Sequence, residues 1–181
     1  MKELSLNVLD IAQNSISAGA ANIGISLVED ATHLLTLTIS DDGCGMSRET
    51  VENVINPFYT TRTTRKVGMG VPLLKLAAEQ SGGELKISSV TADDDPKNHG
   101  TVVTATFHTD NIDFTPIGDI ISTMCVIIQG HPEIDYKFIH KTPEFDVYLD
   151  TKEMREILGN EVSLGEPEII AWIADYLGQQ Y

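Results

Sequence analysis

Leu35-Thr36-Leu37-Thr38-Ile39-Ser40 runs without a break into Asp41-Asp42-Gly43-Cys44-Gly45. Apolar and polar residues alternate up to Ser40. Such alternation predicts a strand with one buried and one lighter face, as in an antiparallel sheet covered on one side. Asp41 to Gly45 is then a tight, glycine-rich turn at the strand's end. One strand earlier, Ile23, Ile25 and Leu27 alternate in the same way. Before them, Leu4 to Ala18 carries Leu4, Val8, Ile11 and Leu6, Leu9, Ala12, Ile16 at helical spacing, with Gly19 where a C-terminal cap belongs. Beyond the turn, Ser47 is placed to cap a short helix over 48–55. Residues 56–66 show no apolar period and read as a loop. A helix over 71–80 follows, with Pro72 in its first turn and Gly82 near its end. Strands over 84–91 and 101–109 flank a polar loop. The order is helix, two strands, two helices, two strands. That is an α+β fold, a two-layer sandwich with helices on one face of a mixed sheet, and not a repeated βαβ winding.

Residues 111–181 read as a small C-terminal α/β extension of a 1–110 domain, with the seam at 111–116. Ile117, Ile120, Ile121, Met124, Cys125 and Ile128 predict an amphipathic helix ending at Gly130. Two strands are expected around Ile134–Phe138 and Phe145–Leu149, then a short helix near 152–158 and a final helix near 166–177. Trp172 and the stripe of Ile169, Ile170, Ile173, Tyr176 and Leu177 read as core. The extension either docks a partner or lengthens the sheet.

The 181 residues carry a formal charge of -15. The acidity is densest late, with 4 Lys/Arg against 13 Asp/Glu in residues 111–181. An acidic chain repels phosphate backbones, which argues against nucleic acid as a bulk partner. Cys44 and Cys125 are far apart and form no Cys-x-x-Cys pair. Residues 1–20 lack a leader pattern, and no apolar run is long enough to span a membrane. A reduced, cytoplasmic setting is the expectation.

The chemistry lies in three places. On the first helix Asn7, Asp10, Asn14 and Ser17 fall on one face. Their short amide, carboxylate and hydroxyl groups suit a ligand held against the helix, and Asn or Asp oxygens suit Mg²⁺. The Asp41 turn offers a carboxylate acceptor for an amino group, such as the exocyclic amine of adenine, beside glycines that permit close approach. Gly68-Met69-Gly70 opens a helix, whose N-terminus favours anions. Arg62, Arg65 and Lys66 lie just before it and give a basic, phosphate-facing lid. The Gly-x-x-x-x-Gly-Lys-Ser/Thr phosphate loop is absent. Asp93-Asp94-Asp95 reads as a solvated loop, because consecutive carboxylates lack the spacing of a calcium loop.

Together and in this order, these pieces resemble the gyrase, heat-shock chaperone, histidine-kinase and MutL (GHKL) superfamily of ATPases. Leu9 to Ala20 looks like its N box, and Asp41-Asp42-Gly43-Cys44-Gly45-Met46 like its first glycine box. Asn56-Pro57-Phe58-Tyr59-Thr60-Thr61-Arg62 resembles the F box of histidine kinases. Gly68-Met69-Gly70-Val71-Pro72-Leu73 resembles the second glycine box, and Gly100-Thr101 the closing Gly-Thr element. The resemblance spans residues 1–110 and implies a Bergerat-type fold that binds ATP with Mg²⁺. By that resemblance Asn14 holds Mg²⁺, Asp41 binds the adenine amine, and Thr101 supports Asp41. Gly43, Gly45, Met46, Met69 and Val71 shape the pocket, and Gly68 and Gly70 contact phosphates. Phe58 anchors a lid that brings Thr60, Thr61, Arg62 and Lys66 to the nucleotide. Asp10 takes the place of a water-activating glutamate and is one methylene shorter. Ser17 stands where the MutL branch has an aspartate. None of the five histidines lies on an expected dimerisation helix, which argues against a self-phosphorylating sensor kinase. Hydrolysis of ATP, phosphotransfer to a serine of a protein partner in the manner of anti-sigma-factor kinases, and a nucleotide-gated interaction module without turnover are the readings that follow.

Overall fold

A computed structural model describes residues 3–55, 69–159 and 161–181. The elements, in chain order, are α1 (Leu4–Ser17), β1 (Asn22–Glu29), β2 (Leu34–Asp41), α2 (Arg48–Ile55), α3 (Gly70–Gln80), β3 (Leu85–Val90), β4 (Gly100–His108), α4 (Ile120–Gly130), β5 (Asp135–Lys141), β6 (Asp146–Asp150), α5 (Thr151–Leu158) and α6 (Pro167–Gly178). The strands form one six-stranded sheet in the order β3-β4-β2-β1-β5-β6. All neighbours are antiparallel except β1 and β5, which run parallel. The fold is α+β, as the order of elements predicts.

The alternation in β2 sets the geometry of everything that follows. Leu35, Leu37 and Ile39 are buried under the helices, and Asp41 is the next residue of that inward set. Register extends the rows across the sheet. Ile39 lies opposite Ile25 and Val103, and Ile25 lies opposite Phe138. One step further along, Asp41 lies between Ile23 and Thr101, and Thr101 faces Ser89. The apolar rows form the core. At the strand ends this last row turns polar from Asp41 through Thr101 to Ser89, while still pointing beneath the helix layer.

Residues after 111 join the same sheet through β5, which pairs with β1 over seven residues. They also finish the N-terminus of α1. That helix has no side-chain cap, and the N–H groups of Leu4 and Ser5 donate to the carbonyls of Pro116 and Ile117 at 2.9 and 2.8 Å. Two of the four orphan donors of the helix are thereby satisfied. The apolar pattern put Ile117 inside the next helix, but α4 starts at Ile120 because Asp119 caps it. The Asp119 carboxylate accepts from the Ser122 N–H at 2.9 Å and the Ser122 hydroxyl at 2.7 Å. Ile117 still packs on the core from outside the helix.

Trp172 of α6 departs from the expected core stripe. Ile173 and Leu177 of α6 are fully buried, but Trp172 is 51 % exposed and stacks on Tyr176 with ring centroids 5.0 Å apart. Trp172 lies a quarter turn from Ile173, so a stripe drawn to include both overreaches the buried arc. Near the same edge His140, on β5, is buried, with its Nδ1 2.7 Å from the Tyr181 hydroxyl. Burial pushes its pKa below the ordinary histidine value, partly opposed by the charge of Glu29.

Candidate nucleotide-binding site

A cavity of about 380 Å³ opens between the helix layer and the polar ends of β2, β3 and β4. Ile11, Asn14, Ser15, Ser17 and Ala18 supply its α1 wall, and Asp41, Ile87, Thr101 and Val103 its floor. Cys44, Gly45 and Met46 of the turn, Thr50 and Val54 of α2, and Val71 of α3 close the remaining sides. Apolar walls with a few convergent polar groups, at this volume, are the ordinary makeup of a small-ligand site.

The two adjacent aspartates of the turn do different work, because successive strand residues face opposite ways. Asp41 points into the cavity. Its Oδ2 accepts the Ser15 hydroxyl at 2.6 Å and its Oδ1 accepts the Gly43 N–H at 3.0 Å. The carboxylate is thus held in one orientation from both α1 and its own turn, with lone pairs to spare. Asp42 turns away and fastens the start of β1. It accepts the N–H groups of Ala21 and Asn22 at 2.8 and 2.9 Å and the Asn22 side-chain amide at 2.7 Å. Partial burial works against its ionisation, but these hydrogen bonds outweigh it and hold the carboxyl below the usual range.

The glycine turn is built by contacts that exclude side chains. Gly45 has φ +70, and a Cβ there would lie 1.9 Å from the carbonyl oxygen of Val90. Only glycine fits that approach. The Gly43 carbonyl meets Nδ1 of His99 at 2.5 Å, and the Cys44 N–H donates to the Ala18 carbonyl at 2.9 Å. Thr101 stands beside Asp41 in register, and its hydroxyl lies 2.8 Å from that of Ser89. Ser89 Oγ in turn accepts the Met46 N–H at 2.7 Å. The Thr101 hydroxyl is thus linked to the glycine turn through Ser89, and its side chain makes no hydrogen bond to Asp41.

The polar face of α1 divides. Asn14 and Ser17 line the cavity and are exposed, the Ser17 hydroxyl donating to the Gln13 carbonyl at 2.8 Å. Asp10 is exposed too but stands outside the lining, against Gly70, where an added Cβ would meet the Asp10 Cβ at 2.8 Å. The first turn of α3 is thereby pressed onto α1 at Asp10. Asn7 is buried, contrary to an open polar stripe, on a helix that packs against both α3 and α4. Val71 reaches the cavity from the first turn of α3, while Met69 is 59 % exposed just before that helix. Phe58, Thr60, Thr61, Arg62, Lys66 and Gly68 lie outside the described residues. The carboxylates of 93–95 do not converge: Asp94 accepts from Thr91, and Asp95 from the N–H groups of Lys97 and Asn98.

Sequence reasoning did not single out Ser15, Ser89 or His99. Ser15 sits one residue after Asn14 on the buried side of α1, and Ser89 belongs to the strand row that contains Thr101. A serine in step with inward apolar residues, Ile11 and Ala12 on α1 and Leu85 and Ile87 on β3, was the available signal in both cases.

Residues 1–111 match the family of histidine kinase-, DNA gyrase B- and HSP90-like ATPases. The chain belongs to that family, and with it to the GHKL superfamily. Sporulation kinase C of Bacillus subtilis is 28% identical over 89 residues, which are 49% of this chain and 20% of that protein. The chain thus spans only a fifth of this relative. The fold is shared with the N-terminal domain of a DNA repair protein (TM-score 0.60, 19% identity), over 88% of this chain and 58% of that one. It is also shared with the Aquifex aeolicus MutL ATPase domain complexed with ADP (TM-score 0.56, 14% identity), over 87% of this chain and 69% of that one. Both likenesses cover more of this chain than residues 1–111 alone. The family supports ATP binding. No described helix is long and apolar enough to cross a membrane.

Proposed function

We propose that the cavity at Asp41 binds ATP with Mg²⁺ and that the chain uses it to hydrolyse ATP or to pass the γ-phosphate to a protein partner. The observation that carries the reading is the fixed orientation of the Asp41 carboxylate, aimed from β2 into an apolar-walled cavity. An ionised carboxylate accepts hydrogen bonds only, so it selects a ligand edge with an amino donor, as adenine presents. Ile11, Val71, Ile87 and Val103 suit the flat faces of a base, and the residues present fit the nucleotide. Toward the mouth Asn14 offers a side-chain oxygen for Mg²⁺ carried by the phosphates, and the start of α3 offers backbone N–H groups to anionic oxygens. Bound Mg²⁺ would draw charge from the phosphates.

Asp10 is the candidate general base. Its exposure and its position beside Gly70 leave it accessible at the α1–α3 contact, one turn before Asn14. Hydrogen-bond reach to water is the first demand on such a group. Turnover separates the readings. An enzyme of this type loses at least tenfold in steady-state phosphate release on Asp10→Ala while keeping ATP affinity within a few-fold. Undiminished release in that variant removes the base role. ATP binding without turnover, alone or with any protein substrate, favours the nucleotide-gated module.

A further inference from the structure

The aromatic pair on α6 lies far along the chain from the nucleotide site and belongs to none of its chemistry. Trp172 is half exposed and carries Tyr176 stacked almost parallel on one ring face, with an interplanar angle of 11°. One exposed apolar side chain would be ordinary, but a stacked aromatic pair rimmed by polar residues has the makeup of an interaction patch. Helical spacing places Glu168 four residues before Trp172 and Asp175 three after it, on the same face and both exposed. Neither carboxylate forms an ion pair among the described residues. α6 contains no lysine or arginine, and the neighbouring α4 has no charged side chain within its bounds. A merely solvated helix face usually interleaves both signs. Here one sign flanks an aromatic platform.

We propose that this face of α6 docks an arginine-bearing segment of a protein partner. The guanidinium would lie over the open indole face of Trp172 and direct its N–H fork to Glu168 or Asp175. Arginine suits the site better than lysine, because a planar cation both stacks on an aromatic ring and pairs with a carboxylate in two places. The acidity of residues 111–181 attracts such a segment from a distance, and the Trp172 platform gives it a place to stop.

Trp172 is the single tryptophan of the chain, so its emission reports the site directly. The probe is an acetylated, amidated helical peptide of fourteen-residue class length with two arginines four apart beside a leucine. Controls carry lysine or glutamine in place of the arginines. The arginine peptide should change Trp172 emission saturably at moderate salt, the lysine peptide more weakly, and the glutamine peptide not at all. The pair Glu168→Gln and Asp175→Asn should weaken binding about tenfold, roughly the cost of losing one charge-assisted contact. The pair Glu144→Gln and Asp146→Asn removes the same charge elsewhere and should change it less than about twofold. All four carboxylates are exposed, and circular dichroism confirms that each variant keeps the fold. Absence of a saturable change overturns the proposal. So does equal weakening by the two pairs, which would reduce the effect to bulk acidity. A Trp172 response to phosphatidylserine vesicles instead, or self-association through Trp172 in sedimentation, would assign the face to lipid or to a second copy and also overturn it.

Discussion

Replacing Ser15 with alanine tests how the Asp41 carboxylate is held. Ser15 is 3 % exposed, and its hydroxyl donates to Asp41 Oδ2 at 2.6 Å across 26 residues of chain. A hydrogen bond to an ionised group contributes about 1.5–3 kcal/mol. Its loss here falls at the low end, because the cavity opens on Asp41 and lets a water take the vacated position. The variant should remain folded, since a serine-to-alanine change inside a helix also gains a little propensity. The carboxylate, now held only by the Gly43 N–H, must be ordered by the ligand at binding. If about 1 kcal/mol of the lost orientation is charged to binding, ATP affinity falls about fivefold. Titration calorimetry with ATP reads the affinity, and a thermal melt reads the stability. Unchanged affinity together with an unchanged melting temperature would refute the idea that Ser15 positions Asp41.

Two further predictions use the cysteines and a buried histidine. Cys44 is exposed and lines the cavity, whereas Cys125 is buried and its thiol pKa is raised by burial. Iodoacetamide should therefore modify Cys44 first, and Mg-ATP should slow that reaction several-fold; peptide mass mapping that finds no protection would count against the assigned pocket. His140 tests the linkage of pH and stability. Its folded pKa lies below the ordinary value near 6.5, so below that pH the unfolded chain binds a proton that the folded chain refuses. The stability from a neutral His140 is complete above about pH 6.5 and is lost as pH falls from there toward its folded pKa. His140→Phe keeps an aromatic ring against Phe145 and Tyr181 and should flatten the melting-temperature profile between about pH 7 and 5.5. Parallel profiles for the two proteins would exclude the histidine as the cause.

Much of the fold is legible in the sequence, because the signal is local. Strict alternation through Leu35, Leu37 and Ile39 places Asp41 on the buried face by count alone. The same count turns Asp42 away, and the structure shows it fastening β1. What is not legible depends on contacts between distant segments. Ser15 finds Asp41, Met46 finds Ser89, and Pro116 finishes α1, each across a gap that no periodicity spans. Burial is the other blind spot. Asn7 and Asn14 share a helix face seven residues apart, yet the first is buried and the second is exposed. Trp172 misleads in the opposite direction: its apolar character predicts core, and its angle on α6 leaves it half exposed. A local cap also overrides an apolar pattern where Asp119 starts α4 three residues later than the stripe suggests.

Calorimetry of the wild type beside Asp41→Asn reads the role of the Asp41 carboxylate in nucleotide binding. The substitution keeps the size of the side chain and can still accept one hydrogen bond from Ser15 or Gly43. It replaces the acceptor-only carboxylate with an amide that confronts the adenine amine with donors. Wild type should bind ATP with a Mg²⁺-dependent heat, and the variant should lose at least about a hundredfold in affinity, some 2.7 kcal/mol, with its fold intact by circular dichroism. An Asp41→Asn protein that binds ATP as tightly as wild type would show that Asp41 does not hold the adenine.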